Sequence, residues 1–88
     1  MADEILTPEQ CRAARALVDM SQQELCERAG ISQKPLVDFE RGKTSPYPRT
    51  LDSLRRALEK TGVEFIDEKN GGGAGVRLKK NSGKRRTS

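Results

Sequence analysis

The stretch from Ser21 to Gly42, SQQELCERAGISQKPLVDFERG, constrains the fold more than any other part of the chain. It encodes two short helices joined by one tight turn. Ser21 stands as an N-cap with Glu24 at N3, the pattern of a capping box. Leu25, Cys26 and Ala29 then recur at helical spacing and define one apolar face. Gly30 occupies the place where a helix stops in the left-handed region, which glycine enters without steric cost. Ile31 and then Ser32, the next N-cap, follow at once, so the chain turns in about three residues. Ile31 and Leu36 have the spacing of a hydrophobic staple, which sets the entry angle of the second helix. Leu36 and Phe39 face inward; Gln33, Lys34, Val37, Asp38 and Arg41 face outward; Gly42 ends the helix.

A helix packed by one edge that offers Gln and Lys from its first turn suits the base edges of a major groove. The run Ser-Gln-x-x-Leu, then Ala-Gly-Ile-Ser, then Leu-x-x-Phe-Glu-x-Gly resembles the Cro/cI-type helix-turn-helix repressors, the XRE family. The resemblance extends over roughly residues 7–61, without gaps between Arg15 and Gly42. It implies a mainly α, lambda-repressor-like helix-turn-helix domain of four to five helices. The remaining sequence adds a small C-terminal β element.

Eighty-eight residues allow one small domain. Small domains bury only about 60% of their unfolded surface, so stability is expected to be modest or helped by a partner chain. With one Tyr, two Phe and no Trp, the core must come from Leu, Ile, Val and Ala. The chain has no histidine, the commonest general base and metal ligand. It shows no clustered carboxylate pair either, so no enzyme, cofactor or metal site is expected. Cys11 and Cys26 make no CxxC pair and fall on the apolar faces of two helices, as small core residues do. No apolar run approaches the length of a signal or transmembrane segment, so the expected location is cytoplasmic, with no membrane partner.

Charge is unevenly divided. Residues 1–60 hold 10 Lys/Arg and 10 Asp/Glu, whereas residues 61–88 hold 7 and 3. Within residues 28–56 stand seven cations (Arg28, Lys34, Arg41, Lys43, Arg49, Arg55, Arg56) and three acids. One basic face on a neutral helical unit is what a protein that meets phosphates on one side requires.

Met1 to Leu6 reads as a loose leader. Thr7-Pro8-Glu9-Gln10 is a helix start, with Thr7 as N-cap, Pro8 at N1 and Gln10 closing a capping box. Cys11, Ala14, Leu17 and Val18 supply the buried stripe of the first helix, and Asp19 marks its stop. Pro35 disfavours helical geometry at Lys34, so the third helix is expected to start at Gln33 or at Pro35. Lys43 to Arg49 is a loop with two prolines and two cations. Leu51, Leu54, Ala57 and Leu58 mark a fourth helix, starting at Pro48 or Thr50 and closed by Thr61-Gly62. Val63-Glu64-Phe65-Ile66 and Val76-Arg77-Leu78 read as strands of a hairpin with a glycine-rich tip. The expected division is a DNA-binding domain over 1–62, a β-hairpin over 63–79 and a basic tail over 80–88, unstructured on its own.

Gln33 and Lys34 are the expected base readers, because glutamine pairs bidentately with adenine and lysine reaches guanine O6 and N7. Val37, one turn later, is placed to touch a thymine methyl. The resemblance implies the same role for Gln33 and Lys34. It also implies DNA-backbone roles for Gln22, which holds a phosphate and steadies the first recognition glutamine, and for Lys43, Thr44 and Arg49; Ser32 and Arg41 are expected to join them on the backbone. Arg15 and Glu40 match a structural ion pair that ties the first helix to the end of the third, expected to be shielded by the fourth. Val63, Phe65, Ile66, Val76 and Leu78 are the apolar side chains left over for a dimer interface, since a lone hairpin is scarcely stable. The expected function is sequence-specific repression by a homodimer on an inverted repeat of double-stranded DNA, with a regulatory protein partner possible. The alternative is the antitoxin of a toxin–antitoxin pair, its C-terminal segment binding the toxin.

Overall fold

A computed structural model describes residues 5–68 and 71–80. Four helices, α1 (Pro8–Leu17), α2 (Gln22–Ala29), α3 (Gln33–Glu40) and α4 (Pro48–Glu59), precede a two-stranded antiparallel hairpin of β1 (Val63–Ile66) and β2 (Gly75–Leu78). The described residues contain no fifth helix. The expected tail lies, from residue 81 on, outside the described residues, as do residues 1–4 of the leader and 69–70 of the hairpin tip.

Local chemistry accounts for the helix ends. Thr7 and Gln10 form the full reciprocal capping box of α1, each side chain accepting the other's backbone N–H at 3.0 Å. Ser21 accepts the N–H of Glu24 at 3.0 Å, but Glu24 does not reciprocate, because its carboxylate pairs with Arg28 at 3.1 Å instead. α1 ends in a Schellman arrangement with Asp19 at φ 56, the Met20 N–H reaching Arg15 C=O at 2.9 Å and that of Asp19 reaching Ala16 C=O at 3.3 Å. Gly42, at φ 79, closes α3 in the same way, with Lys43 N–H bonded to Asp38 C=O at 2.8 Å. α3 starts at Gln33 rather than Pro35, because a proline at N3 lies in the first turn, where no N–H is required by the helix. The same proline explains why the Ser32 side chain caps nothing: the N3 donor it would accept does not exist.

The core is one cluster of Leu25, Leu36, Phe39, Leu51, Leu54 and Leu58, with Cys11, Ala14, Met20 and Ala57 between them. Two expectations change here. Leu6 is fully buried and Ile5 packs against the cluster, so the end of the leader belongs to the domain. Leu17 is 39% exposed and leaves the α1 stripe to Cys11 and Ala14, with Val18 partly buried.

The hairpin joins the same core. Alternation along β1 turns Val63 and Phe65 inward and Glu64 and Ile66 outward. Val63 pairs with Leu78 and Phe65 with Val76 across the sheet. Gln10, itself buried, donates from Nε2 to the carbonyls of Ile66 (3.3 Å) and Gly75 (3.0 Å), tacking both strands to α1. Arg55 of α4 lies over the Phe65 ring, 5.0 Å from its centre, and donates to Ile5 C=O at 2.8 Å. Val63 and Phe65, expected to stand free for a second chain, therefore fill their own protein's interior. The reason is that the four helices leave an apolar gap that a two-stranded sheet, marginal by itself, covers.

Candidate nucleic-acid interface

The turn between α2 and α3 is held from beneath. Glu40, at the end of α3, is 3% exposed and accepts two hydrogen bonds from Arg15 of α1, from Nε at 2.9 Å and from Nη2 at 2.7 Å. The two oxygens each take one, the bidentate fork that guanidinium and carboxylate planes favour. Gln22 Nε2 donates to the same carboxylate at 3.0 Å and the Cys11 thiol at 3.0 Å. Arg12 donates to the Glu40 carbonyl, and Arg15 also reaches Met20 C=O at 2.9 Å. The side chains bonded to Glu40 thus come from α1 and α2, and none from α4, the helix expected to shield it. The Cys26 thiol donates to Ser32 C=O at 3.3 Å, bridging the turn itself.

Burial alone would push the Glu40 carboxyl up, but the hydrogen bonds from Arg15, Cys11 and Gln22 outweigh it and hold the group below its ordinary value. The Glu40 hydrogen bond raises Arg15 in turn. Burial, reinforced by Glu40, pushes the Cys11 thiol far up, and burial raises Cys26 as well. Glu40 is thus an anion and both cysteines are neutral thiols at neutral pH.

On this base the outward face of α3 stands clear. Gln33 is exposed at N1, and Lys34 extends with 81% of its side chain exposed. Val37 is half-buried one turn on. Ser32 is exposed with its hydroxyl engaged by no cap bond. Gln22 is half-buried at N1 of α2; one amide N–H is spent on Glu40, leaving the other for a ligand. Arg41, Lys43, Thr44 and Arg49 are all exposed, from the end of α3 to the start of α4.

Ion pairing sorts the seven cations of residues 28–56. Arg28 pairs with Glu24, Lys34 with Asp38, Arg55 with Glu59 and Arg56 with Asp52. Arg41, Lys43 and Arg49 have no ion pair within the described residues, and they run from the C-cap of α3 to the first turn of α4. Arg55, counted in the sequence with the basic face, serves the core instead.

The other expected sites divide. Of the interface set, Val63 and Phe65 are buried and Val76 is half-buried, whereas Ile66 and Leu78 remain 37% and 36% exposed. Sequence reasoning gave no role to Asp38, whose carboxylate sits 2.9 Å from Lys34 Nζ, although the i,i+4 spacing of opposite charges signals it. It gave none to Tyr47, 82% exposed in the α3–α4 loop, where only the polar composition of the loop pointed outward.

A braced turn, a recognition helix with its polar face exposed and three following cations without an ion pair among the described residues define a DNA-binding helix-turn-helix regulator. The Helix-turn-helix family model matches residues 12–65, and the chain belongs to that family, of Cro/cI (XRE) type. The search of curated proteins gave no match. The family is one of DNA-binding transcriptional regulators and not of enzymes. Among the described residues no helix is long and apolar enough to cross a membrane.

Proposed function

We propose that this protein is a sequence-specific transcriptional repressor that binds an inverted-repeat operator as a homodimer in the cytoplasm. The observation that carries the reading is the sorting of charge around α3. Every other cation of the segment is paired within the chain, while Arg41, Lys43 and Arg49, from the C-cap of α3 to the first turn of α4, have no ion pair among the described residues. Gln33 and Lys34 read bases, with Val37 on a thymine methyl. Gln22, Ser32, Arg41, Lys43, Thr44 and Arg49 hold the sugar-phosphate backbone, which positions the helix without reading sequence. Binding over a promoter represses by occupancy alone.

A two-fold operator needs two recognition helices about 34 Å apart. The outer edges of the hairpin, with Ile66 and Leu78 exposed beside them, are the surface that supports pairing of two copies. Selection of bound duplexes from a randomised pool tests the whole reading: a palindromic consensus supports a dimeric reader, and recovery of no consensus overturns it. Sedimentation of Ile66→Glu/Leu78→Glu separates dimerisation from folding, since neither residue is in the core. A stoichiometric protein partner in pull-downs of the intact chain would instead favour the antitoxin alternative.

A further inference from the structure

The recognition helix carries an acid on the face that meets an anionic groove, and helix stability does not call for one there. Asp38 lies in the last turn of α3, where the negative end of the helix dipole disfavours a carboxylate. Its pair with Lys34 runs base before acid at i,i+4, the weaker of the two orders. The contact is nonetheless close, with Nζ 2.9 Å from Oδ2, and uneven in burial. The Asp38 side chain is 18% exposed and that of Lys34 81%, so a carboxylate fixed against the helix tethers an ammonium that reaches out over it. The Lys34 hydrogen bond, helped by the charges of Lys34, Lys43 and Arg41, holds the Asp38 carboxyl below its ordinary value and keeps it charged.

Resting on the DNA-reading role proposed above, we infer that Asp38 is a positioning residue that holds Lys34 for base readout and denies it to the phosphates. A free lysine is a compact cation on a flexible stem. Beside DNA it settles on the nearest phosphate, adding affinity without sequence information. Tethered through one of its three N–H donors, Lys34 keeps two for a guanine O6/N7 edge. As a unit the pair is neutral, so it displaces few counterions on DNA of any sequence. Gln33 has Val37 at the equivalent spacing, so the restraint acts on Lys34 and not on its neighbour.

The test compares full-length wild type, Asp38→Asn, Lys34→Ala and the double variant in anisotropy titrations across a range of salt. Two probes are used: a duplex carrying the consensus that the wild type selects from a randomised pool, and mixed-sequence duplex DNA. Asp38→Asn should bind mixed-sequence DNA more tightly, with a salt slope steeper by about 0.9, the signature of one added phosphate contact. It should also lose about tenfold in preference for the consensus. In the Lys34→Ala background the same substitution should leave that preference unchanged, because the tether then holds nothing. An unchanged slope and preference in Asp38→Asn, or the same loss of preference with Lys34 absent, overturns the assignment. A wild type that selects no consensus refutes the DNA-reading role itself. A wild type that selects one while Asp38→Asn keeps its full preference refutes only the role of Asp38.

Discussion

Replacing Glu40 by alanine is expected to cost about 2–4 kcal/mol of folding stability, and the structure dictates how. The carboxylate is 3% exposed and receives four side-chain hydrogen bonds, two from Arg15 and one each from Gln22 and Cys11. Hydrogen bonds to charged groups contribute about 1.5–3 kcal/mol each in favourable cases. The larger effect is the stranded partner, since removing one member of a buried pair costs about 3–5 kcal/mol. Arg15 keeps 20% of its side chain in water, which recovers part of that loss and lowers the expected figure. Such a change is a large fraction of the 5–15 kcal/mol that typically holds a domain together. Urea unfolding followed by circular dichroism measures it. Arg15→Met/Glu40→Leu should be less destabilised than Glu40→Ala, with a coupling above about 1 kcal/mol in the double-mutant cycle. The sign of the pH dependence follows from the lowered Glu40 carboxyl. Its contribution is present above the unfolded-state value of about 4.3 and is lost as pH falls through the lower folded value. The gap in stability between wild type and Glu40→Gln should therefore narrow on acidification below about pH 4. A single-variant cost below about 1 kcal/mol, additive behaviour in the cycle, or a gap independent of pH would refute the reasoning.

Gln33→Ala and Lys34→Ala should each lose about 1–3 kcal/mol at the selected operator and relax its specificity there, whereas Lys43→Ala should weaken operator and mixed-sequence DNA alike with a shallower salt dependence. Equal losses on both DNAs for Gln33→Ala, read by gel-shift titration, would remove it from the base readers. Asp19→Gly should stabilise by about 1 kcal/mol, because a side chain at φ 56 is strained, and the melting temperature should rise by about 4–8 °C. Gln10→Ala should cost about 1–3 kcal/mol by stranding the Ile66 and Gly75 carbonyls, and hydrogen exchange should show protection lost first in the hairpin. With folded pKa values raised for Cys11 and Cys26, stability should be full below about pH 8.5, where unfolded thiols ionise, and fall as pH rises above it; alkaline melting curves check this.

What the sequence by itself determined is local. The caps at Thr7 and Ser21, the stops at Asp19, Gly30 and Gly42, and the outward set of Gln33 and Lys34 each depend on residues within one or two turns. Their chemistry can therefore be assessed without knowing where the rest of the chain lies. Even here one steric detail intervened, since Pro35 removed the N–H that Ser32 would have capped. The tertiary structure decided what the distant residues do. The apolar content of Val63 and Phe65 requires that they be buried, but not whether their own helices or a second copy covers them. That choice depends on Gln10 meeting Gly75, 65 residues away, and on Arg55 reaching both Ile5 and Phe65. Leu6 became core, Leu17 did not, and the cations of one basic run separated into braces and charges without an ion pair among the described residues. Burial and pairing are properties of the assembled surface, set by which elements converge, and periodicity along the chain carries no information about convergence.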